Sequence, residues 1–420
     1  MSLPEVTAAS YLPADTLHLW WLGQAASPSL IGTLRWVRSL RGVSLQYAPS
    51  WLQQGFALSE DLPLLSHEFM PTTADSAAGA VDDARPDRWG ERVIRFLDRP
   101  ARLSLMEYLL FAGDERFGAL GVSISEQAYI PRRTGPLPQL TELSDVHQAI
   151  LRIQAGEAVP PTMQRLVSPG VTMGGARPKA LIDLSGHPWV LKFNELGEPL
   201  DTPLIEHATM TLAAQAQIRV ARTLALPLQQ GHAVAIQRFD RDGPRRRHAL
   251  SAHVALRAAG EDMGYPELAQ LLRRKGVSAQ SRHKADMQEL YRRMVFNILI
   301  DNTDDHEKNH ALLSNERGEY ELAPAYDVVP TAQALGYQQM RVGAQGSAST
   351  LSNASSEAAQ FGLTLDEAQQ QQALVAKVVA QWARHFQRAG VRAQDIEMLS
   401  AQIDRPFLID QRRHAALRLA

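Results

Sequence analysis

The chain has 420 residues, with 43 Lys and Arg against 45 Asp and Glu for a formal net charge of −2 and a pI near 6.7. That balance gives no global basic surface for stand-alone nucleic-acid binding, and 45% apolar with 21% charged residues is ordinary for a globular chain long enough for two or three domains. No cysteine is present, which excludes disulfides, thiolate-bound zinc and thiol catalysis and fits a reducing compartment. Met1 to Pro13 carries no basic stretch ahead of an apolar run, and no apolar stretch is long enough to span a bilayer, so a soluble cytoplasmic protein with no membrane attachment is expected.

Leu17–Leu22, Leu30–Val37 and Val43–Tyr47 predict a small antiparallel meander stopped by Pro49. Within Arg85-Pro-Asp-Arg-Trp-Gly90 and the residues that follow, Trp89, Val93, Phe96 and Leu97 give a helical stripe. Ser104 with Glu107 three residues on is a capping-box signature for a helix to Phe111. Phe117 to Val122 fits a strand, Pro131 to Pro138 a linker, and Leu140 to Ala155 a helix.

Val167 to Leu184 carries Gly170, Gly174 and Gly175, then Lys179, with strands expected at Ala180–Leu184 and Trp189–Phe193. This is not the phosphate-loop ATPase pattern, which needs Gly-x-x-x-x-Gly-Lys-Ser/Thr before a helix. A Gly-rich hairpin with a lysine on the following strand is how kinases cover and pair nucleotide phosphates, although an ordinary hairpin uses the same residue types. Lys192 lies in an apolar strand, where a lysine needs a partner or must reach water. Glu206 is the candidate partner, on a helix predicted from Thr202 as cap and Pro203 at the first position, with Ile205, Ala208, Thr209, Leu212, Ala213 and Ala216 as its apolar stripe. Val234 to Asp240 reads as a strand in the place of a kinase hinge. Arg245 to Arg247 reads as a solvated turn. From Val254 onward the chain reads mainly helical, with Tyr265–Lys275, Leu365–Ala389 and Ala393–Ile403 as helices and Gly343 to Ser356 as an exposed loop.

The most informative stretch is Asn302-Thr-Asp-Asp-His-Glu-Lys-Asn-His-Ala-Leu-Leu313. Asp304 and Asn309 are five apart, and Asp327 follows eighteen residues later. An acid, an amide and a second acid at this spacing match a phosphotransferase loop. There the first Asp orients the attacking hydroxyl and accepts its proton, while the Asn and the later Asp hold magnesium. Met287, Leu290, Tyr291, Met294, Val295, Ile298 and Leu299 predict a buried helix delivering Asp304. A hairpin at His310–Ala323 would bring Asn309 and Asp327 together. Polar turns use the same residues without chemistry.

Taken in order, these motifs resemble the HipA-type serine/threonine kinases of bacterial toxin–antitoxin pairs. Ala84–Gly90 is similar to the family's N-terminal subdomain, Gly174–Lys179 to its Gly-rich loop, and Gln237–Arg241 to its hinge. Asn302–Asn309 is similar to its catalytic loop and Tyr326-Asp327 to its metal-binding aspartate. The resemblance implies an α+β, two-lobed protein-kinase-like fold, with an N-terminal antiparallel subdomain over 1–135, a nucleotide-binding β-rich part over 136–245 and a helical lobe over 246–420. It implies Asp304 as base, Asn309 and Asp327 on Mg2+, and Lys192 on the phosphates of ATP. Gly174 and Gly175 would cover the nucleotide, and Gln237, Arg238 and Phe239 would line the adenine pocket. Autophosphorylation in the loop would fall on Thr172 or Ser168. The implied partners are a helix-turn-helix antitoxin, through which DNA contact is indirect, and a protein substrate such as an aminoacyl-tRNA synthetase. A small-molecule phosphotransferase uses a similar Asp-x-x-x-x-Asn loop, and an antitoxin-docking corepressor would need no catalysis.

Overall fold

The computed structural model describes residues 11–133, 135–170, 175–331 and 333–417. These fall into two compact units, Met1–Leu196 with Gln237–Leu250 and Leu313–Gly318, and Gly197–Ile236 with Ser251–Leu312 and Glu319–Ala420. The fold is α+β, as expected.

The first unit is built on an antiparallel sheet of β1 (Thr16–Trp21), β2 (Ser29–Val37), β3 (Gly42–Tyr47), β4 (Glu68–Phe69) and β5 (Leu120–Ser123), in the order β4-β3-β2-β1-β5. Leu17, Leu19, Ile31, Leu34, Val43 and Leu45 are fully buried. A bulge between Leu19 and Trp20 breaks the alternation, so Trp20 is buried as well. A Cβ at Gly32 would lie 2.2 Å from the Gln46 carbonyl oxygen, so only glycine lets β2 and β3 meet there. The capping box at Ser104 is present, and its Glu107 also accepts from Arg102 Nε and the Tyr11 hydroxyl, each at 3.0 Å.

The expected helix at Trp89 forms as Arg88–Val93 and runs into a π turn, Ile94–Asp98. Further on, β6 (Lys179–Leu184) and β7 (His187–Lys192) form the predicted hairpin, with Lys179 opposite Lys192.

In the second unit, β8 (Thr223–Pro227) and β9 (His232–Gln237) pair antiparallel, and β9 ends at Gln237 instead of continuing to Asp240. The helix Thr202–Gln215 begins one residue earlier than predicted: Asp201 stands at the cap position, and Thr202 gives its hydroxyl to Glu198 instead. The helix Arg282–Ile300 is the core of this unit and packs against the helices Tyr265–Lys275 and Leu365–Val379. All seven residues of its predicted stripe are buried, but so are Asp286, Glu289, Arg293 and Asn297. These polar groups serve the neighbouring backbone: Arg219 joins Asp286 (2.8 Å) and Glu289 (2.6 Å), and Arg293 Nη2 reaches the Ala323 carbonyl at 2.6 Å.

The predicted helix Leu365–Ala389 is two helices, Leu365–Val379 and Trp382–Arg388, and a further helix, Pro406–Ala416, follows Ala393–Ile403. Gly343 to Ser356 is an exposed loop only in part, at Ala344 to Gly346. It ends in the helix Leu351–Ser356, and the fully buried Asn353 binds the Gly346 and Ala348 carbonyls and the Gln345 amide at 3.0, 2.9 and 2.8 Å.

Candidate functional site

The helix Arg282–Ile300 stops at Asp301, whose left-handed backbone (φ 61°) turns the chain into the Asn302–Asn309 loop. Main-chain and buried side-chain contacts then fix this loop. Thr331 bonds the Asp301 carbonyl (3.0 Å) and the Thr303 hydroxyl (2.6 Å). The Ala252 amide donates to the His310 carbonyl at 2.8 Å.

Between these anchors lies Asp305, buried, with its Oδ2 bonded to the Tyr265 hydroxyl and, at 2.7 Å, to His310 Nε2. Burial alone would raise the Asp305 carboxyl, but His310 and Tyr265 outweigh it and hold it below the usual carboxylate range. Asp304, one residue earlier, is exposed. Two adjacent acids thus have opposite environments: Asp305 anchors the loop, while Asp304 is presented.

Asn309 is buried, and its Nδ2 reaches the Asp304 carbonyl at 3.4 Å. Its Oδ1 is buried with no hydrogen-bond partner among the described residues. An unsatisfied buried amide oxygen costs about 1–3 kcal/mol, and a divalent cation takes such an oxygen as ligand. The residues present therefore fit a magnesium ion at Asn309.

The predicted return of the chain is also observed. Ala311–Ser314 and Tyr320–Leu322 are strands, and the Ala323 amide donates to the Ala311 carbonyl at 2.9 Å. The Tyr326 hydroxyl then bonds the Lys308 carbonyl at 2.8 Å. This brings Asp327, half-buried and left-handed at φ 57°, to the residue after a direct contact with the loop. A cavity of about 10 Å³, the size of one water, is walled by Asn309, Tyr326, Val328 and Asp305.

Glu307 in the same loop accepts from His253 at 2.9 Å, which lowers its carboxyl to about 2 in spite of burial. Because this value lies below the ordinary 4.5, the contribution to stability is present above that pH and is lost as pH falls toward 2. Denaturant midpoints measured against pH should therefore fall more steeply through this window in the wild type than in His253→Ala.

In the first unit, Lys179 is fully buried. Its Nζ bonds the Asp87 carboxylate and, at 2.6 Å, the Gly175 carbonyl. Trp89 Nε1 donates to the Lys179 carbonyl at 2.8 Å, and a Cβ on Gly90 would lie 2.0 Å from the Pro169 carbonyl oxygen. The Asp-Arg-Trp-Gly segment therefore holds both ends of the Gly-rich stretch through residues about ninety positions away. Sequence reading placed Lys179 in the loop motif without a contact, and Asp87 carried no signal beyond the motif.

Gly175 is left-handed (φ 47°) and Ser168 half-buried. Thr172 and Gly174 lie outside the described residues. Lys192 is buried at the end of β7, and Glu206 is buried on the Thr202–Gln215 helix.

Gln237 and Phe239 are half-buried, with Phe239 edge-on to Phe117 at 5.8 Å. Arg238 is buried beside them. Its side chain is buried in a fork on Asp240 (2.9 and 2.7 Å) and bonds the Glu115 and Arg116 carbonyls. It is a structural arginine, and this position can meet a nucleotide only through main-chain atoms. Arg238 and Arg241 outweigh burial and hold the Asp240 carboxyl far below its usual range.

A sequence model of the HipA-like C-terminal domain matches residues 171–395, and one of the HipA N-terminal domain matches residues 25–123. The chain belongs to the HipA family. Its fold is similar to that of HipA from Shewanella oneidensis MR-1, solved with HipB and its operator DNA. The identity is 18%, coverage is 95% of this chain and 97% of that one, and the TM-score is 0.65. The proinflammatory kinase CtkA of Helicobacter pylori aligns with 58% of this chain and 93% of its own, at 14% identity and TM-score 0.42, a likeness too low to carry an argument. The HipA match bears out the protein-kinase-like fold expected of the sequence. Among the described residues no helix is long and apolar enough to cross a membrane.

Proposed function

We propose that this HipA-family protein is an ATP- and magnesium-dependent serine/threonine protein kinase, acting as the toxin of a toxin–antitoxin pair. The observation that carries the reading is the Asn302–Asn309 loop, which presents Asp304 outward while Asn309 keeps a buried oxygen without a hydrogen-bond partner among the described residues. Asp304 orients the substrate hydroxyl and takes its proton as that oxygen attacks the γ-phosphorus. The bond from the γ-phosphorus to the bridging oxygen breaks, and ADP leaves. Lys192 pairs the nucleotide phosphates, and the chain around Gln237 and Phe239 lines the adenine pocket. Asn309 and Asp327 would hold magnesium, which when bound neutralises charge on the phosphates. The partner is a helix-turn-helix antitoxin, in keeping with the HipB and operator DNA found with the Shewanella protein. The substrate is a protein of the translation machinery such as an aminoacyl-tRNA synthetase.

Incubating the purified chain with labelled ATP and magnesium, followed by mass spectrometry, tests the reading. Phosphate on Ser168 or Thr172 is the expected result. Transfer to a sugar or amine but to no protein would replace it with the small-molecule phosphotransferase, and failure to bind ATP would replace it with the docking corepressor.

A further inference from the structure

Arg88, Arg92 and Arg95 are spaced four and three apart, which places them along one helical face. They run from the helix Arg88–Val93 into the π turn at Ile94, a geometry that recurs at functional sites. All three are exposed, and they line a cleft of about 370 Å³ within the first unit, with Gln154, Pro178 and Glu195 among the facing residues. The lining residues thus hold three guanidinium groups against one carboxylate.

The cleft is preformed. Arg92 Nη2 is held by the Ile153 and Gln154 carbonyls at 3.2 and 2.8 Å, and its guanidinium carbon lies 6.0 Å from the Trp89 ring. Arg95 Nε returns to the Glu91 carbonyl at 3.3 Å. The Gln154 side chain is fixed by the Asn194 carbonyl (3.3 Å) and the Leu196 amide (2.9 Å). Guanidinium groups oriented in advance lose less freedom when an anion arrives.

We propose that this cleft binds a phosphomonoester. The three guanidinium groups outnumber the Glu195 carboxylate in the lining and the Glu91 carboxylate near Arg88 and Arg95, and planar guanidinium groups engage phosphate oxygens in pairs. The cleft borders the Gly-rich loop through Ala176 and Pro178, but none of its lining residues is one assigned above to the nucleotide, and the proposal does not depend on the kinase reading.

The test is calorimetric titration of the full chain at low salt, without nucleotide or magnesium, using inorganic phosphate and a phosphoserine peptide as probes. Binding should be saturable, weaker by about tenfold or more in Arg88→Gln/Arg95→Gln, and unchanged in Lys192→Met. Tighter binding of the peptide would identify a phosphorylated protein segment as the occupant, and equal affinities a free phosphate. Absence of saturable binding would overturn the proposal. So would equal affinity in the wild type and the arginine variant, or loss of binding in Lys192→Met with retention in the arginine variant. Both substituted arginines are exposed, and the single substitutions provide the same comparison if the double variant does not melt cooperatively.

Discussion

Asp304→Asn should lower phosphoryl transfer by about 10²–10⁴-fold, the usual contribution of a positioned general base, while the melting temperature and ATP binding stay near wild type. The exchange keeps the size and shape of the side chain and removes its ability to take a proton. Its structural consequences are small because buried side chains and main-chain bonds anchor the loop on either side of Asp304. Thr331 pins the Asp301 carbonyl and Thr303, and Asp305 is pinned by Tyr265 and His310. Surface substitutions away from such anchors usually stay within about 0.5 kcal/mol. Rate measurements with a saturating protein substrate, alongside thermal melts of the same preparations, separate the two effects. Full activity in the variant would remove Asp304 as the base. Lost activity together with a collapsed melt would make Asp304 an anchor of the loop like its neighbour.

What the sequence could reveal depended on how far apart the cooperating residues lie. Asp304 and Asn309 are five apart, and the helix before them shows its burial as a 3.6-residue period, so the loop was legible as a spacing. The anchors of that loop were not. Asp305 meets Tyr265 forty residues upstream, and only the fold brings that hydroxyl to the carboxylate. The same applies to Lys179 and Asp87, ninety-two residues apart.

Where composition substituted for contact, the reading was incomplete. The small and polar residues of Gly343–Ser356 predicted solvent exposure throughout, and Ala344 to Gly346 is exposed, but Asn353 is fully buried and satisfies three main-chain groups. Arg238 was legible as part of a hinge motif, but the use of its side chain was not: it meets Asp240 two residues on.

Lys179→Met should destabilise the protein by about 3–5 kcal/mol, the cost of removing one partner from a buried ion pair. The largest loss is expected above neutral pH. Burial already pushes the Asp87 carboxyl above its ordinary range with Lys179 beside it, and removal of the ammonium would push it higher. A carboxyl with a raised folded-state value contributes stability below its unfolded value and loses that contribution as pH rises through the folded one. The deficit of the variant should therefore grow from pH 5 to pH 8, read as the difference in denaturant midpoint from wild type at each pH.

Asp87→Asn in the Lys179→Met background should recover much of the loss. An asparagine oxygen can still accept from the Gly90 amide, now 2.8 Å from Asp87 Oδ1, without leaving a charge in the interior. Asp87→Asn alone should also be costly, because it takes the Asp87 carboxylate away from the buried Lys179 side chain. Two single variants that are each much weaker than the double would show that Asp87 and Lys179 act as one unit. Additive losses would mean that Lys179 holds the loop through the Gly175 carbonyl alone.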